Sequence, residues 1–355
     1  MVNNKSMAYD STDTTIKSIE FLSYGILPEG YELEDLQGLE QEDVSLNGEG
    51  TILALYDETN KKVFIYSEDE IIFNSISSYM FYNMTTVKSI EFGEYINTSE
   101  VTTMNSMFYG MSALMSLNLK SFNTSNVVSM YEMFRNTSSV TTLDVSSFNT
   151  AKVTRMHHMF QGMSSLTNLD LSNFNTEKVI NMQYMFTNMN ALTSLDISSF
   201  KTPLVENMQY MFYGLSKLTS LDVSNFNTEK VTNMQYMFFN MSSLTSLDLS
   251  SFNTPEVTTM YRMFAGDSAM TSLDLSNFNT EKVSNMYGMF SGMSSLTSLD
   301  LSSFNTAKVT DMQYMFRNTS ALTEIKATKG LWVVGTSTNV TDMFLGSKIS
   351  SVTLY

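Results

Sequence analysis

The stretch SSLTSLDLSSFNTAKVTDMQYMF, residues 294–316, decides the fold because variants of it fill most of the chain. Its closing Met-Phe pair occurs eleven times, and from Met107 to Met315 every interval between pairs is 26 residues. The first interval is 27 residues and the last is 28. A fixed period in this range is typical of a solenoid, in which copies of one supersecondary unit stack on each other.

One repeat, residues 164–189, predicts a short strand, a turn and a short helix. The strand is indicated by alternating apolar residues, Leu166, Leu169 and Leu171. Helical spacing appears in a second apolar set, Val179, Met182, Met185 and Phe186. Thr176 lies where a helix N-cap is expected.

Two of the three prolines support this helix start. Pro203 and Pro255 directly follow Thr202 and Thr254, the equivalents of Thr176, and proline is favoured at the first helical position. We therefore predict an α/β repeat protein. It is a right-handed solenoid with one parallel sheet of about eleven strands on one face and short helices on the other.

The chain divides into two predicted regions. Residues 1–75 match the repeat poorly, and we expect an N-terminal cap with a β-hairpin near residues 51–66. Residues 76–355 are predicted to form the solenoid of about ten repeats. Its last element, residues 349–354, repeats the strand pattern without a following helix, so we expect it to be uncapped.

Composition excludes several classes of function. The formal net charge of −16 argues against nucleic-acid binding and against docking on anionic lipid. No apolar run is long enough to span a membrane, and the first residues show neither a signal peptide nor an anchor. Cysteine is absent, so disulfides and thiolate metal sites are excluded.

The unit LTSLDLSSFNTAKVTDMQYMF resembles the 26-residue repeat of BspA-like bacterial surface proteins, a branch of the leucine-rich repeats found in gut and oral bacteria and in mycoplasma lipoproteins. The resemblance covers about residues 76–355. It implies an extracellular location and adhesion or protein binding. Where family members often carry cysteine, this chain has methionine, as at Met163 and Met189, and both residue types fill apolar space.

Outward-facing strand positions hold an aspartate column, which consists of Asp144, Asp170, Asp196, Asp222, Asp248, Asp274 and Asp300. Neighbouring strands lie about 4.8 Å apart, so these carboxylates are expected to form an acidic stripe on the concave face. One interpretation is that the stripe binds a partner or a cation, with calcium as the weaker of these two alternatives. The other is that each aspartate accepts hydrogen bonds from flanking serines such as Ser224, and we otherwise expect no cofactor.

A second column contains aromatic residues, Tyr184, Tyr210, Tyr236 and Tyr314. An outward aromatic column is able to bind a partner, but rings that lie along the groove between helices are the simpler explanation, and we favour it. His157 and His158 have no third ligand or nucleophile at a matching spacing, so we interpret them as surface substitutions. The chain shows no nucleophile elbow, phosphate loop or H-E-x-x-H motif, and we predict that it is not an enzyme.

The C-terminal end carries a candidate assembly contact formed by Trp332, Ile349, Val352 and Leu354. An apolar end and an open strand edge invite pairing with another chain. Two functions remain. The first is a protein-binding or adhesion solenoid at a cell surface, with a protein or glycan ligand on another cell or matrix. The alternative is a virion component, such as a phage fibre, tail or decoration protein, or part of another extracellular assembly.

Overall fold

The computed structural model describes residues 15–23, 27–28, 30–45, 49–93 and 96–355. Residues 1–14, where the sequence shows no signal peptide, lie outside the described residues. The described residues contain one helix, α1 (Leu33–Gln37). Their strands are β1 (Ser18–Ser23), β2 (Glu40–Asp43), β3 (Ile52–Asp57), β4 (Lys62–Ser67), β5 (Ile71–Ile72), β6 (Ser89–Glu91), β7 (Ile96–Asn97), β8 (Ser116–Leu117), β9 (Asn168–Asp170), β10 (Ser194–Asp196), β11 (Ser298–Leu301), β12 (Glu324–Ala327) and β13 (Thr353–Leu354). None of the described helices is long and apolar enough to cross a membrane.

The chain forms two compact units. The first comprises the residues up to 153 together with 162–166, and the second comprises 154–161 and 167–355. In the first unit, β3 and β4 pair as an antiparallel hairpin, and β4 pairs in parallel with β1. Strand β1 then pairs in parallel with β6, which in turn pairs with β8. The repeat strands β6 and β8 therefore extend the N-terminal sheet, and the boundary at residue 75 stays a prediction.

In the second unit the repeats stack in parallel register, as expected of a repeat solenoid. Leu195 of β10 lies opposite Leu169 of β9, and Leu299 of β11 lies opposite Ile325 of β12. The Phe of each Met-Phe pair explains why the pair recurs, because its ring stacks on its equivalent in the next repeat. Phe186 and Phe212, for example, have ring centroids 5.6 Å apart and an interplanar angle of 8°. The handedness stays a prediction.

The predicted single sheet of about eleven strands is wrong for the described residues. The strands of the second unit are two to four residues long and belong to separate sheets, β9 with β10 and β11 with β12 and β13. The more continuous pairing lies in the Met-Phe segments, which are residues 181–188 and their equivalents in the other repeats. There, single parallel bridges join successive equivalents, Arg155, Asn181, Asn207, Asn233, Thr259, Asn285, Asp311 and Asn339.

The predicted helices on the other face are also wrong, because the Met-Phe segments are built of turns. The amide of Met185 donates to the carbonyl of Met182, as in a four-residue β-turn, and both side chains are buried. Alternate amides, such as those of Tyr184 and Phe186, donate instead to carbonyls of the next repeat. A β-turn with buried first and fourth residues produces the same three-residue spacing as a helix, which misled the sequence interpretation.

Thr176 is therefore not a helix cap. Its buried hydroxyl donates to the Lys201 carbonyl at 2.6 Å and accepts from the Lys201 amide at 2.9 Å. The equivalent threonines bind the next repeat in the same way, as Thr254 does with Asn279. Pro203 occupies the second position of the turn from Thr202 to Val205, where the fixed φ of proline is favoured.

Asparagine or glycine occupies a left-handed turn position two residues after each phenylalanine of a Met-Phe pair, and each asparagine is followed by glycine in the next repeat. Asn136 has φ +61° and Gly162, its equivalent in the next repeat, has φ +76°. A Cβ atom on Gly162 would lie 2.3 Å from Oδ1 of Asn136. The asparagine side chain of one repeat therefore excludes any side chain at the same position of the next.

Candidate functional site

The aspartate column is exposed, and its carboxylates are engaged in local turns. Oδ1 of Asp222 accepts the backbone amide of Ser224 at 2.9 Å, and the bond recurs at the other six aspartates. The hydroxyl and the amide of Ser224 together lower the pKa of Asp222. These bonds support the interpretation in which aspartate accepts from flanking serine. A partner-binding role of the column remains a prediction.

The described residues contain no cluster of three or more His, Asp or Glu side chains able to hold a metal ion. Neighbouring aspartates of the column lie side by side, as Asp170 and Asp196 do in register, but each carries its own serine bond. Asp300 faces Lys326 in the next strand. The structure therefore offers no preformed calcium site in its described part, and calcium binding has not been tested.

The aromatic column is larger than the sequence indicated and forms a tyrosine ladder in the second unit. The tyrosine ladder consists of His158, Tyr184, Tyr210, Tyr236, Tyr261, Tyr287 and Tyr314, all half-buried. Tyr184 and Tyr210 stack with centroids 4.5 Å apart, and Tyr210 and Tyr236 with centroids 4.4 Å apart. With no helices in these segments, the rings do not lie in a groove between helices. The rings contact one another from repeat to repeat, and each stays partly exposed.

His158 belongs to this ladder and is more than a surface substitution. Its ring stacks on Tyr184 with a centroid distance of 4.6 Å and an interplanar angle of 8°. Its Nδ1 lies 2.6 Å from Oε1 of Gln161. The first ring of the ladder is therefore the imidazole of His158, and the Tyr184 ring covers one of its faces.

Most residues of the ladder have a left-handed backbone conformation, which is unfavourable for a residue with a Cβ atom. Tyr184 and Tyr210 both have φ +57°, and Tyr236 has φ +55°. A residue with a Cβ in this left-handed region costs about 1 kcal/mol, and Gly288 occupies the same position in another repeat. The backbone would accept glycine here, so it is the rings and not the backbone that favour tyrosine, and their stacking offsets part of the strain.

The phenol hydroxyls of the ladder bind one another. Burial raises the pKa of Tyr261 to about 12, and its hydrogen bond with Tyr236 contributes to the rise. Tyr236 also shares a hydrogen bond with Tyr210. These hydroxyls stay protonated at neutral pH, so the ladder presents neutral groups that both donate and accept hydrogen bonds.

All four arginines of the chain lie in Met-Phe segments, whereas all sixteen lysines lie elsewhere (20 basic residues less four arginines). In the second unit, the guanidinium carbon of Arg262 lies 5.3 Å from the centroid of the Tyr287 ring, and that of Arg317 lies 5.1 Å from Tyr314. This association of arginine with tyrosine was missed from the sequence, although the segregation of the two basic residue types was visible there.

The first unit holds a related cluster of tyrosines with an arginine. Tyr82 stacks on Tyr109 with centroids 4.8 Å apart, and the guanidinium of Arg135 lies 5.5 Å from the Tyr109 centroid. Arg135 is ion-paired with the buried Glu132, which also accepts a hydrogen bond from Ser106. Its charge is thus neutralised within the protein.

The predicted assembly contact at the C-terminal end is brought together only in part. Trp332 is buried, whereas Leu354 is exposed, and both line an open apolar cleft of about 340 Å³. Val352 also lines this cleft, but Ile349 does not. Strand β13 pairs with β12 on one side. Whether the cleft meets another chain has not been tested.

Comparisons with known proteins identify a family. The family model described as "Mycoplasma protein of unknown function, DUF285" matches residues 75–195, 181–272 and 239–353. This match covers the repeats on which the resemblance to BspA-like surface proteins was recognised and confirms that resemblance. The search of curated proteins found no match.

Two solved structures are similar to this chain at low identity. A leucine-rich repeat protein from Bacteroides ovatus is 17% identical, with 78% of this chain and 76% of the other covered and a TM-score of 0.38. A leucine rich cell surface protein from Faecalibacterium prausnitzii is 16% identical, with 81% and 94% covered and a TM-score of 0.33. These TM-scores are too low for either structure to bear on the fold or function of this chain.

Proposed function

We propose, from the premise that this chain belongs to the DUF285 family, that it is a non-enzymatic binding protein displayed at a cell surface. The tyrosine ladder is the part of the second unit that meets the partner. The ladder carries this proposal because it combines half-buried aromatic edges with mutually bonded hydroxyls on strained backbone. Tyrosine and arginine are the residues most enriched at protein interfaces.

The exposed aspartates of the column support a role without catalysis. Acid–base catalysis needs two groups whose environments separate their pKa values. The exposed aspartates share one environment, because each Oδ1 accepts the amide of the serine two residues later. The aspartate column is therefore better suited to shaping turns and keeping the protein soluble.

The proposal is tested by comparing the ladder with the aspartate column. A variant with Tyr184→Ser, Tyr210→Ser and Tyr236→Ser removes three rings from positions that tolerate glycine elsewhere. We expect it to lose retention on immobilised extracellular-matrix extract, while a variant with Asp196→Asn and Asp222→Asn keeps it. Equal retention of the two variants and the wild type would refute a binding role of the ladder.

Surface display has its own test. Antibodies against the folded protein should label intact cells of the source organism as strongly as permeabilised cells. Labelling that requires permeabilisation would contradict display at the surface.

A second candidate function, a component of a virion or other assembly, is favoured by the C-terminal apolar cleft. Leu354 is exposed at its rim, and strand β13 pairs with one neighbour among the described strands. If this end is an assembly contact, light scattering at micromolar concentration should show oligomers that Leu354→Lys dissociates. A soluble monomer, unchanged in mass by the substitution, would remove this candidate.

A further inference from the structure

The Met-Phe segments of the second unit have a charge opposite to that of the whole chain. From residues 155–161 to residues 311–318, these segments contain Arg155, Arg262 and Arg317 and one acidic residue, Asp311. Three positive charges against one negative give a net charge of +2, in a chain with a formal net charge of −16. An anionic ligand is therefore attracted to these segments and repelled by most of the remaining surface.

Arg262 is held in place without an anionic partner. Its guanidinium carbon lies 5.8 Å from the Tyr261 centroid and 5.3 Å from the Tyr287 centroid. Gly288 makes room for this side chain, since a Cβ there would lie 3.2 Å from Cγ of Arg262. Its buried Nε has no hydrogen-bond partner, and within the described part of the chain no carboxylate pairs with it.

Arg317 lies two repeats further along, three residues later in its repeat than Arg262, and also packs on a ladder ring. Its guanidinium carbon lies 5.1 Å from the Tyr314 centroid, its Nε is buried without a partner, and it makes no ion pair with the residues that the structure describes. Arg135 in the first unit, by contrast, is neutralised by Glu132. Guanidinium groups bind carboxylates through paired N–H donors, so two arginines fixed on tyrosines suit carboxylate recognition.

The polar groups along the ladder suit a polyhydroxylated ligand better than a peptide. Ladder hydroxyls both donate and accept, and Gln183, Gln209 and Gln235 lie half-buried beside them. Asn207 donates to Oε1 of Gln183 at 3.0 Å, which holds the first of these amides in place. Tyr184, Tyr210 and Tyr236 cover one another's ring faces, so these three rings offer little free face to an apolar peptide side chain.

We propose that the tyrosine ladder binds an acidic glycan that carries a carboxylate on alternate sugars, with Arg262 and Arg317 each contacting one carboxylate. This inference rests on the proposed binding role of the ladder. Successive repeats are about 4.8 Å apart, so the two repeats that carry the arginines are separated by roughly 10 Å along the ladder. Sparse carboxylates fit better than dense sulfates, because the strong negative charge of the whole chain repels a highly charged polymer.

The test uses the full chain and a hyaluronan decasaccharide, in which glucuronate alternates with N-acetylglucosamine. Calorimetry is run at physiological salt, with an N-acetylglucosamine oligomer as the neutral probe and heparin and poly-glutamate as further anions. We expect the wild type to bind hyaluronan and not the neutral oligomer. Arg262→Gln and Arg317→Gln should each weaken binding about tenfold, the value of one charge-assisted hydrogen bond.

Lys230→Gln is the matched control, because it removes the same charge from an exposed side chain outside the ladder. It should leave hyaluronan binding within about twofold of the wild type. Absence of hyaluronan binding, equal weakening by Lys230→Gln, or tighter binding of heparin or poly-glutamate would overturn the inference. If the wild type does not bind hyaluronan but its retention on matrix extract still depends on the ladder tyrosines, the glycan inference is refuted and the proposed binding function stands. If retention does not depend on the ladder either, the proposed function is refuted as well.

Discussion

Replacing Asp267 by threonine is expected to stabilise the protein, and more strongly as the pH rises. Asp267 is fully buried at a repeat position that methionine occupies in the flanking repeats. Its Oδ1 accepts the Met241 amide at 2.8 Å, while its Oδ2 is buried without a hydrogen-bond partner. Burial raises the pKa of this carboxyl well above its usual value, and the bond from Met241 opposes only part of the rise.

The raised pKa fixes the sign of the pH dependence. Above the ordinary value of 3.8, the unfolded chain releases the Asp267 proton while the folded protein still holds it. The folded state then binds one more proton than the unfolded state, so the free energy of unfolding falls by about 1.4 kcal/mol for each pH unit. This loss of stability is absent at a pH below the pKa of Asp267 in the unfolded chain. It stops growing at a pH above the pKa of Asp267 in the folded protein.

Threonine is the replacement that the chain itself uses at this position. The buried hydroxyls of Thr137 and Thr319 donate to the carbonyls of Phe134 and Phe316 at 2.7 Å. Asp267→Thr should make the equivalent bond, and it removes a buried oxygen without a partner. The substitution also takes the acceptor from the Met241 amide, so where Asp267 is protonated we expect a change of no more than about 1 kcal/mol in either direction. The pH-dependent gain adds to this value.

Urea unfolding from about pH 5 to pH 8 measures the effect as the difference between variant and wild type. Asp248→Asn is the control, because hydrogen bonds from Ser250 lower the pKa of this exposed aspartate. The stabilising effect of this lowered pKa is already fully present above the pKa of Asp248 in the unfolded chain. The difference in free energy of unfolding between Asp248→Asn and the wild type should therefore stay constant from about pH 5 to pH 8. A difference for Asp267→Thr that is constant with pH, or that shrinks as pH rises, would refute the reasoning.

Gly162→Ala should destabilise the protein because its Cβ would lie 2.3 Å from Oδ1 of Asn136, and adding Asn136→Gly should recover most of the lost thermal stability; a mild single variant would contradict this exclusion. Gly292→Ala should cost only the strain of its left-handed φ of +79°, since its Cβ would meet only ordinary contacts at 3.5 Å. Thr254→Val should cost about 2 kcal/mol by urea unfolding, because it removes both hydroxyl bonds to the next repeat; a cost near zero would show that these bonds are dispensable. Millimolar calcium should leave the melting temperature unchanged, because Oδ1 of Asp222 and its equivalents already accept serine amides; a clear rise would instead indicate a cation site.

The sequence predicted the repeat and the core well. The 26-residue period and the buried Val, Met, Phe and Leu positions were all visible in the pattern. It did not distinguish a helix from successive β-turns, because Met182 and Met185 are three residues apart in either. It also gave no indication that the Thr176 hydroxyl binds the next repeat, since that bond spans 25 residues.

The candidate site was predicted less completely. The aspartate column was recognised together with its alternative, and the serine bonds favour the alternative. Four tyrosines of the ladder were recognised from their shared position. Tyr261 and Tyr287 were missed because they lie one residue earlier in their repeats, and only the stacking of their rings, 4.7 Å apart, assigns them to the ladder.

Oxidative footprinting of the wild type on immobilised matrix extract tests the binding role of the ladder most directly. Oxidation of Tyr184, Tyr210 and Tyr236 should fall several-fold on binding, because the partner covers their exposed edges. Tyr56 and Tyr355, which lie outside the ladder, serve as internal references and should not change. Unprotected ladder tyrosines in a protein that is demonstrably retained would place the partner elsewhere and contradict the account.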